Sequence, residues 1–370
     1  SDRLHEELSK TFIDKRASTL ARGLKQDSIL KTEIKNEKDI IIDGYFVGEL
    51  KGLKLNLDLK AGTLDTDIKS LKKATRQAII PELKKRAEKI IQNNILELKN
   101  DFKIYWENNP IANIIPGKNY LEPNIEIITD DFLETTNQKK LSEFLYQWLK
   151  NLIYSELKDL VSLNSFEKKN SSVRALCYQL YENNGVLKRD LVNEFTKKLS
   201  QDDRKLLRNK GVKIGRYHVY LHRILKPSAV TLRILLWKNF FRKNLSLNPP
   251  KFGLNFFVEK NFNQKFMLIC GFEKFNDYYV RIDILERLFI KIIENTKDDK
   301  IKLNSDMINL LGSNTENFTN LLKLMNYKFE NKNKDNETYF SYKPKRIKNK
   351  NIKKINKNNP FDILSSVNFK

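Results

Sequence analysis

The spacing of apolar positions changes period several times along the chain. Residues 4–35 set Leu4, Leu8, Phe12, Leu20, Leu24 and Ile34 at threes and fours among Lys, Arg and Glu, which predicts helix. The period falls to two in DIIIDGYFVGELKGLKLNLDL, Asp39–Leu59, around the turn signals Asp43-Gly44 and Gly52. That pattern predicts a three-stranded meander. Helical spacing returns from Leu64 to about Phe102, with Pro81 placed to open a new helix at its first position. Residues 105–129 alternate again. Val47-Gly48-Glu49-Leu50 aligns there with Ile111-Ala112-Asn113-Ile114, and Gly52 with Gly117, as an internal repeat of β-elements around the long helix.

From Asp131 to Phe166 one apolar stripe (Phe132, Leu141, Phe144, Leu145, Trp148, Leu152, Leu157, Leu160) predicts a helical core segment. Residues 172–220 read as three helices, Ser172–Tyr181, Arg189–Leu199 and Gln201–Asn209 with Ser200 as N-cap, broken at Gly185 and followed by a strand. That is the order of a winged helix. The next stretch, to Trp237, alternates the cations Lys213, Arg216, Arg223, Lys226 and Arg233 with Leu221, Ile224, Leu225, Leu232 and Leu235. The pattern fits a phosphate-facing surface on a solid core, and equally the half-buried helix of any basic protein. Pro249-Pro250 marks a boundary.

Beyond it, FMLICGF (Phe266–Phe272) and YYVRI (Tyr278–Ile282) read as strands, followed by helices at Asp283–Asn295, Ser305–Leu311 and Thr315–Asn326. Tyr327–Glu330 and Tyr339–Tyr342 then form the strands of a wing around Asn331–Thr338. A helix, a glycine turn and a second helix outline a DNA-binding arrangement. Yet the would-be recognition helix carries Glu316, Asn317 and Asn320 with Lys323 as its cation, which fits protein docking as well.

The expected class is α+β, predominantly helical. It comprises a basic helical segment (1–38), two small β-elements around a long helix (39–130), a helical region (131–248), a winged-helix-like domain (249–342), a Lys-rich tail (343–358) and an apolar terminal motif (359–370).

Composition sharpens the functional reading. Lys and Arg number 69 against 46 Asp and Glu, a net charge of +23, and such a balance favours polyanions through counterion release. Nucleic acid leads, although a chain this rich in Lys, Asn and Ile gains part of its charge from compositional bias. The tail adds Lys343, Lys345, Arg346, Lys348, Lys350, Lys353 and Lys354 with no acid among them, so it is expected to be disordered and to bind phosphate without sequence preference. After it, Pro360, Phe361, Ile363 and Leu364 read as a docking motif or a frayed end. Cys177 and Cys270, far apart in apolar runs, suit buried thiols in a reducing compartment. With no membrane span or signal peptide in the pattern, a cytoplasmic location is expected.

Catalytic signatures do not emerge. The one Gly-Lys, Gly117-Lys118, has Ala112 where a P-loop needs its first glycine and Asn119 where it needs a hydroxyl. His218 and His222 stand four apart, the spacing of a metal pair on a helix, but no third ligand accompanies them.

Seven segments, in order, carry a resemblance. They are LHEELSKTFIDKRASTLARGL (Leu4–Leu24), DGYFVGELKGLKL (Asp43–Leu55), PGKNYLEPNIEI (Pro116–Ile127), LRNKGVKIGRYHVYLHRILKPSAVTLRILLW (Leu207–Trp237), VRIDILERL (Val280–Leu288), DMINLLGSNTENFTNLLKLMNYKF (Asp306–Phe329) and NPFDIL (Asn359–Leu364). Together the chain resembles the region after the motor in alphaproteobacterial members of the mitochondrial-degradosome type of DExH-box helicase, a superfamily 2 RNA helicase family. His222-Arg223 departs from the proline and small residue expected before Leu225-Lys226-Pro227. The resemblance implies motor domains preceding Ser1 that hold ATP and magnesium, and no cofactor in this chain. The expected role is a nucleic-acid-binding accessory region, with RNA, single-stranded or structured, as partner and DNA as a second option; the alternative is an interaction scaffold that links the helicase to a ribonuclease or ribosomal partner.

Overall fold

The computed structural model describes residues 32–36, 38–42, 44–58, 65–93, 95–130, 133–166, 170–242, 246–260, 262–297, 300–330 and 339–342. Among them, helices and five small antiparallel sheets alternate, with about half of the residues helical. The expected N-terminal helix before Thr32, the Asn331–Thr338 loop, the lysine tail and the terminal motif lie outside the described residues. Two compact units divide the chain, the first reaching Pro250 and taking back 269–271, the second holding the rest.

The first unit opens with a four-stranded meander, β1 (Thr32–Lys35), β2 (Asp39–Ile42), β3 (Tyr45–Lys51) and β4 (Lys54–Leu57), paired in sequence order. The sequence pattern missed β1. Ile34, read as the end of a helical stripe, pairs instead with Ile40 across a turn at Asn36, whose φ is 53°. A single helix, α1 (Asp65–Asn93), follows and runs through Pro81 without a break, so the expected second helix does not start there. The sheet built from β5 (Leu96–Leu98), β6 (Lys103–Trp106), β7 (Asn109–Ile115) and β8 (Asn124–Ile127) repeats the first one.

Strands one to three of each copy stand at a constant offset in sequence. Both also carry a register shift at the same place, after Ile40 opposite Gly48 and after Ile104 opposite Ala112. The bulge turns Val47 and Ile111, at matching positions, into the core. The hairpin turns match as well, with positive φ at Gly44 and at Asn108. The copies are tied together where β4 meets the end of β8. The Leu55 amide donates to Asp130 at 2.8 Å, and buried Arg86 of α1 donates to the carbonyls of Leu50 and Gly52 while pairing with Glu82 at 3.2 Å.

A long helix, α2 (Thr135–Val161), supplies the spine of the unit. Leu141, Leu145, Leu149, Ile153, Leu157 and Leu160 are buried at threes and fours on one stripe, and α2 packs on α1, β8 and the helical segments 162–166, 171–182, 223–225 and 227–241. Phe144, Trp148 and Leu152, expected on that stripe, are only half-buried beside it. A 3-10 turn (Ser162–Phe166) leads to α3 (Ser171–Glu182), β9 (Val186–Lys188), a further 3-10 turn, α4 (Asn193–Lys197), α5 (Gln201–Asn209), β10 (Val212–Ile214) and β11 (His218–Leu221), with strand order β10-β11-β9. The Gly185 break expected between helices is thus filled by a strand. Helix α6 (Pro227–Phe241) starts on Pro227 and stops at Arg242, which has a left-handed φ of 46°.

The second unit holds β12 (Phe256–Val258), α7 (Gln264–Ile269), β13 (Phe272–Phe275) and β14 (Tyr278–Arg281), in strand order β12-β14-β13. Phe266–Ile269, expected as strand, is the helix α7, and the strand begins at Phe272. Phe257 stacks on Tyr279 at 4.9 Å and 9°, with Phe262 and Phe272 edge-on, and this aromatic cluster is the core of the small sheet. Then come α8 (Ile282–Glu294), β15 (Thr296–Lys297), β16 (Lys300–Lys302), α9 (Ser305–Leu311), α10 (Thr315–Leu324), β17 (Tyr327–Glu330) and β18 (Tyr339–Tyr342), with strand order β15-β16-β18-β17. Among the described residues no helix is long and apolar enough to cross a membrane.

Candidate nucleic-acid interface

The segment from Ser171 to Leu221 is built from local signals that fix each element. The Asn170 side chain caps α3 by accepting from the Ser172 amide at 3.2 Å, and Val173, Leu176, Cys177 and Leu180 bury its inner face. Ser200 and Asp203 form a capping box at the start of α5, each side chain accepting from the other's amide at 3.1 Å. The hydrogen bond from the Ser200 backbone is the main reason that the Asp203 carboxyl lies below its ordinary value. With the start of α5 fixed, Leu207 turns into the core while Gln201, Lys205 and Arg208, at i, i+4 and i+7, face solvent. Arg204 is anchored by donating to the Thr196 carbonyl at 2.7 Å.

Gly211 reverses the chain after α5. Its φ is +82°, and a Cβ there would stand 2.4 Å from Asp159 Oδ2 of α2, so the position requires glycine twice over. The hairpin β10–β11 then projects the turn Gly215-Arg216-Tyr217. Gly215 donates to the His218 carbonyl at 2.8 Å, and Arg189, just after β9, holds the turn from the side by donating Nη1 to the Gly215 carbonyl at 2.7 Å. Lys213 on β10 and Arg216 at the tip are exposed, as are Lys205, Arg208 and Lys210 of the preceding helix and its end. Helix α5 packs against β10, which sets the exposed cations of the helix and those of the hairpin on adjacent elements, with Asp202 and Asp203 confined to the first turn of the helix. Exposed cations around a projecting turn suit phosphate groups.

The expected cations of Leu206–Trp237 do not stay together. Lys213 and Arg216 belong to the surface just described. Arg223 and Lys226 are exposed at the opposite end of β11, where Arg223, 67% exposed, lies 3.6 Å from Asp159. Arg233 is a correction to the sequence expectation. It is 0% exposed inside α6, flanked by buried Leu232 and Ile234, and cannot reach a phosphate in this structure. Helix α6 is buried on nearly every side because it packs on both α2 and β7. Lys343, Lys345, Arg346, Lys348, Lys350, Lys353 and Lys354 lie outside the described residues.

Sequence reasoning passed over Lys205, Arg208 and Lys210. The signal was present, since Ser200-x-x-Asp203 sets the helical phase that places Lys205 and Arg208 outward. His218 is buried on β11 and His222 is exposed beyond its end, so the two do not share the helical face their spacing suggested. Among the described residues no group of three or more His, Cys, Asp or Glu gathers to hold a metal. Burial pushes the Cys177 and Cys270 thiols up to about 12, which leaves both protonated and poor nucleophiles at neutral pH. The chain matches no family model, no curated protein and no solved structure.

Proposed function

We propose that this chain is a nucleic-acid-binding accessory region of an ATP-dependent RNA helicase, whose motor domains, holding ATP and magnesium, stand upstream of Ser1. One observation carries the binding role: the basic surface of α5 and the β10–β11 turn. We read the order helix, strand, two helices and two strands from Ser171 to Leu221, with β9 paired to β11, as a winged helix. In that reading α5 is the helix that approaches nucleic acid and Arg216 sits on the wing. The link to a helicase rests on the ordered sequence resemblance.

Contacts of this kind neutralise phosphates and do not read bases, so binding is sequence-tolerant and salt-sensitive. The test is fluorescence anisotropy of the purified chain with labelled single-stranded RNA over a salt series. Reversing Lys205 and Arg208 together should weaken binding and lower the log–log salt slope by roughly 1.4 for two lost phosphate contacts. Unchanged affinity and slope in a folded variant would remove the proposal. Single-stranded DNA in the same assay reports the preference between the two.

A second reading applies to the other unit. From α8 to β18 a similar order of elements recurs with one strand more, β15, yet α10 offers Glu316, Asn317 and Asn320 beside Lys323, whose Nζ lies 5.7 Å from the Phe329 ring centre. We read this unit as a protein-docking module for a ribonuclease or ribosomal partner. A pull-down with the full chain that survives nuclease treatment and is lost on substituting exposed residues of α10 supports it; a nuclease-sensitive one opposes it.

A further inference from the structure

On α2, along the edge of its buried stripe, Tyr146, Lys150 and Tyr154 follow one another at four-residue spacing and line a cavity of about 350 Å³. The two tyrosines are 39% and 51% exposed. The floor is apolar, with Leu121, Pro123, Leu149 and Ile153, and two amides, Asn151 and Asn164, open onto it. Tyr181 of α3 closes one wall. Its ring stands 6.1 Å from that of buried Tyr120, whose hydroxyl donates to the Tyr181 carbonyl at 2.9 Å, so this wall is rigid. Glu122 also lines the cavity, as its one acid against Lys150.

An exposed aromatic, a cation and a second aromatic, over a flat apolar floor with amide groups, match the chemistry of an unstacked nucleobase followed by a phosphate. The rings offer π-faces, the amides offer donors and acceptors to a base edge, and Lys150 offers charge between the rings. The tyrosines are separated by about 12 Å along the helix axis, the reach of a few nucleotides of extended strand. We infer that this cavity and its Tyr146–Lys150–Tyr154 ladder bind the bases of a single nucleic-acid strand by stacking. The inference rests on the nucleic-acid reading above and adds to it a contact with bases, separate from the phosphate-facing surface of α5. The strand is the favoured occupant over a peptide because the chain carries +23 and the ladder itself is cationic.

The experiment compares two single-stranded RNA oligonucleotides of equal length, one with uracil bases and one abasic throughout, on the full chain over a salt series that starts at low salt. The paired substitution Tyr146→Ala and Tyr154→Ala should lower affinity for the base-bearing strand by about tenfold and leave the abasic strand and the salt slope unchanged. Tyr146→Phe with Tyr154→Phe should retain binding, because stacking needs the ring and not the hydroxyl. Circular dichroism and the melting temperature check that each variant folds, as expected for exposed side chains. Equal binding of the base-bearing strand by wild type and the alanine pair overturns the stacking site while the phosphate-binding reading stands. An equal loss for both strands also overturns it. If the wild-type chain binds neither strand, both readings fall.

Discussion

Arg189 donates its Nη1 to the carbonyl of Gly215 at 2.7 Å, reaching from just beyond β9 to the turn that carries Arg216. The Arg189 amide also donates to Tyr217 at 2.8 Å, so both sides of the turn are held by one residue. Replacing Arg189 by Ala keeps the backbone bond and removes the charge-assisted one, worth about 2 kcal/mol when fully made. Arg189→Ala should therefore lower affinity for single-stranded RNA several-fold through a loosened turn, with the salt slope falling by less than it does for reversal of Arg216. Titrations of both variants at several salt concentrations measure the difference.

Arg233 donates Nη1 to the Ile224 carbonyl at 3.2 Å, while Nε and Nη2, though buried, have no hydrogen-bond partner among the described residues. Burial pulls its guanidinium down to about 10, below the ordinary arginine value. The unfolded chain holds that proton more tightly than the folded one, so the charge weakens the fold throughout the range below about pH 10. The penalty shrinks as pH rises above about 10. Arg233→Met, similar in length and apolar, should raise the melting temperature at pH 7, and its advantage over wild type should narrow above pH 10. Paired thermal melts at pH 7 and pH 10.5 check both statements.

The repeated meanders differ at one instructive position. Gly48 faces Leu57 across β3–β4, and a Cβ there would lie 2.3 Å from the Asn56 carbonyl oxygen and 2.9 Å from Leu57 Cα. The matching position in the second copy, opposite Ile127, is Ala112, fully buried without such crowding. Gly48→Ala should cost about 3 kcal/mol, because only backbone can give way. Ala112→Gly should cost only about 1 kcal/mol, the loss of one methyl and some chain entropy. Denaturant titration of the two variants should reproduce that asymmetry, and equal costs would mean the copies are interchangeable at this position.

Much of this architecture was legible where period and punctuation agreed. The repeat of the two meanders was visible as the alignment of Val47–Leu50 with Ile111–Ile114, without its bulges, and the Ser200 cap located α5. What sequence could not give were effects decided by distant neighbours. Ile34 looks helical by spacing and becomes a strand because Ile40 pairs with it. Phe266–Ile269 is as apolar as a strand and is helical, since β13 completes the sheet instead. Arg233 looks like a surface cation until α2 and β7 close over α6. Tyr146 and Tyr154 were passed over for the opposite reason: the stripe read from the sequence runs through Trp148 and Leu152, whereas Leu149 and Ile153 are the buried positions beside them.

Gly211 and Asp159 lock the start of the basic hairpin onto α2, and their coupling is measurable. Gly211→Ala introduces a side chain at φ +82°, at a cost of about 1 kcal/mol, and drives its Cβ to 2.4 Å from Asp159 Oδ2. Asp159 already has Oδ2 buried without a hydrogen-bond partner, while its Oδ1 faces Arg223 at 3.6 Å. Asp159→Ala alone should cost little, because the ion pair is mostly exposed on the Arg223 side and contributes at most about 1 kcal/mol. In the double variant the clash disappears and only the backbone strain remains. The pair should therefore be more stable than Gly211→Ala alone, with a favourable interaction energy of about 1–2 kcal/mol in a double-mutant cycle. Additive costs would mean that α2 yields at Asp159 and that the hairpin is not held there.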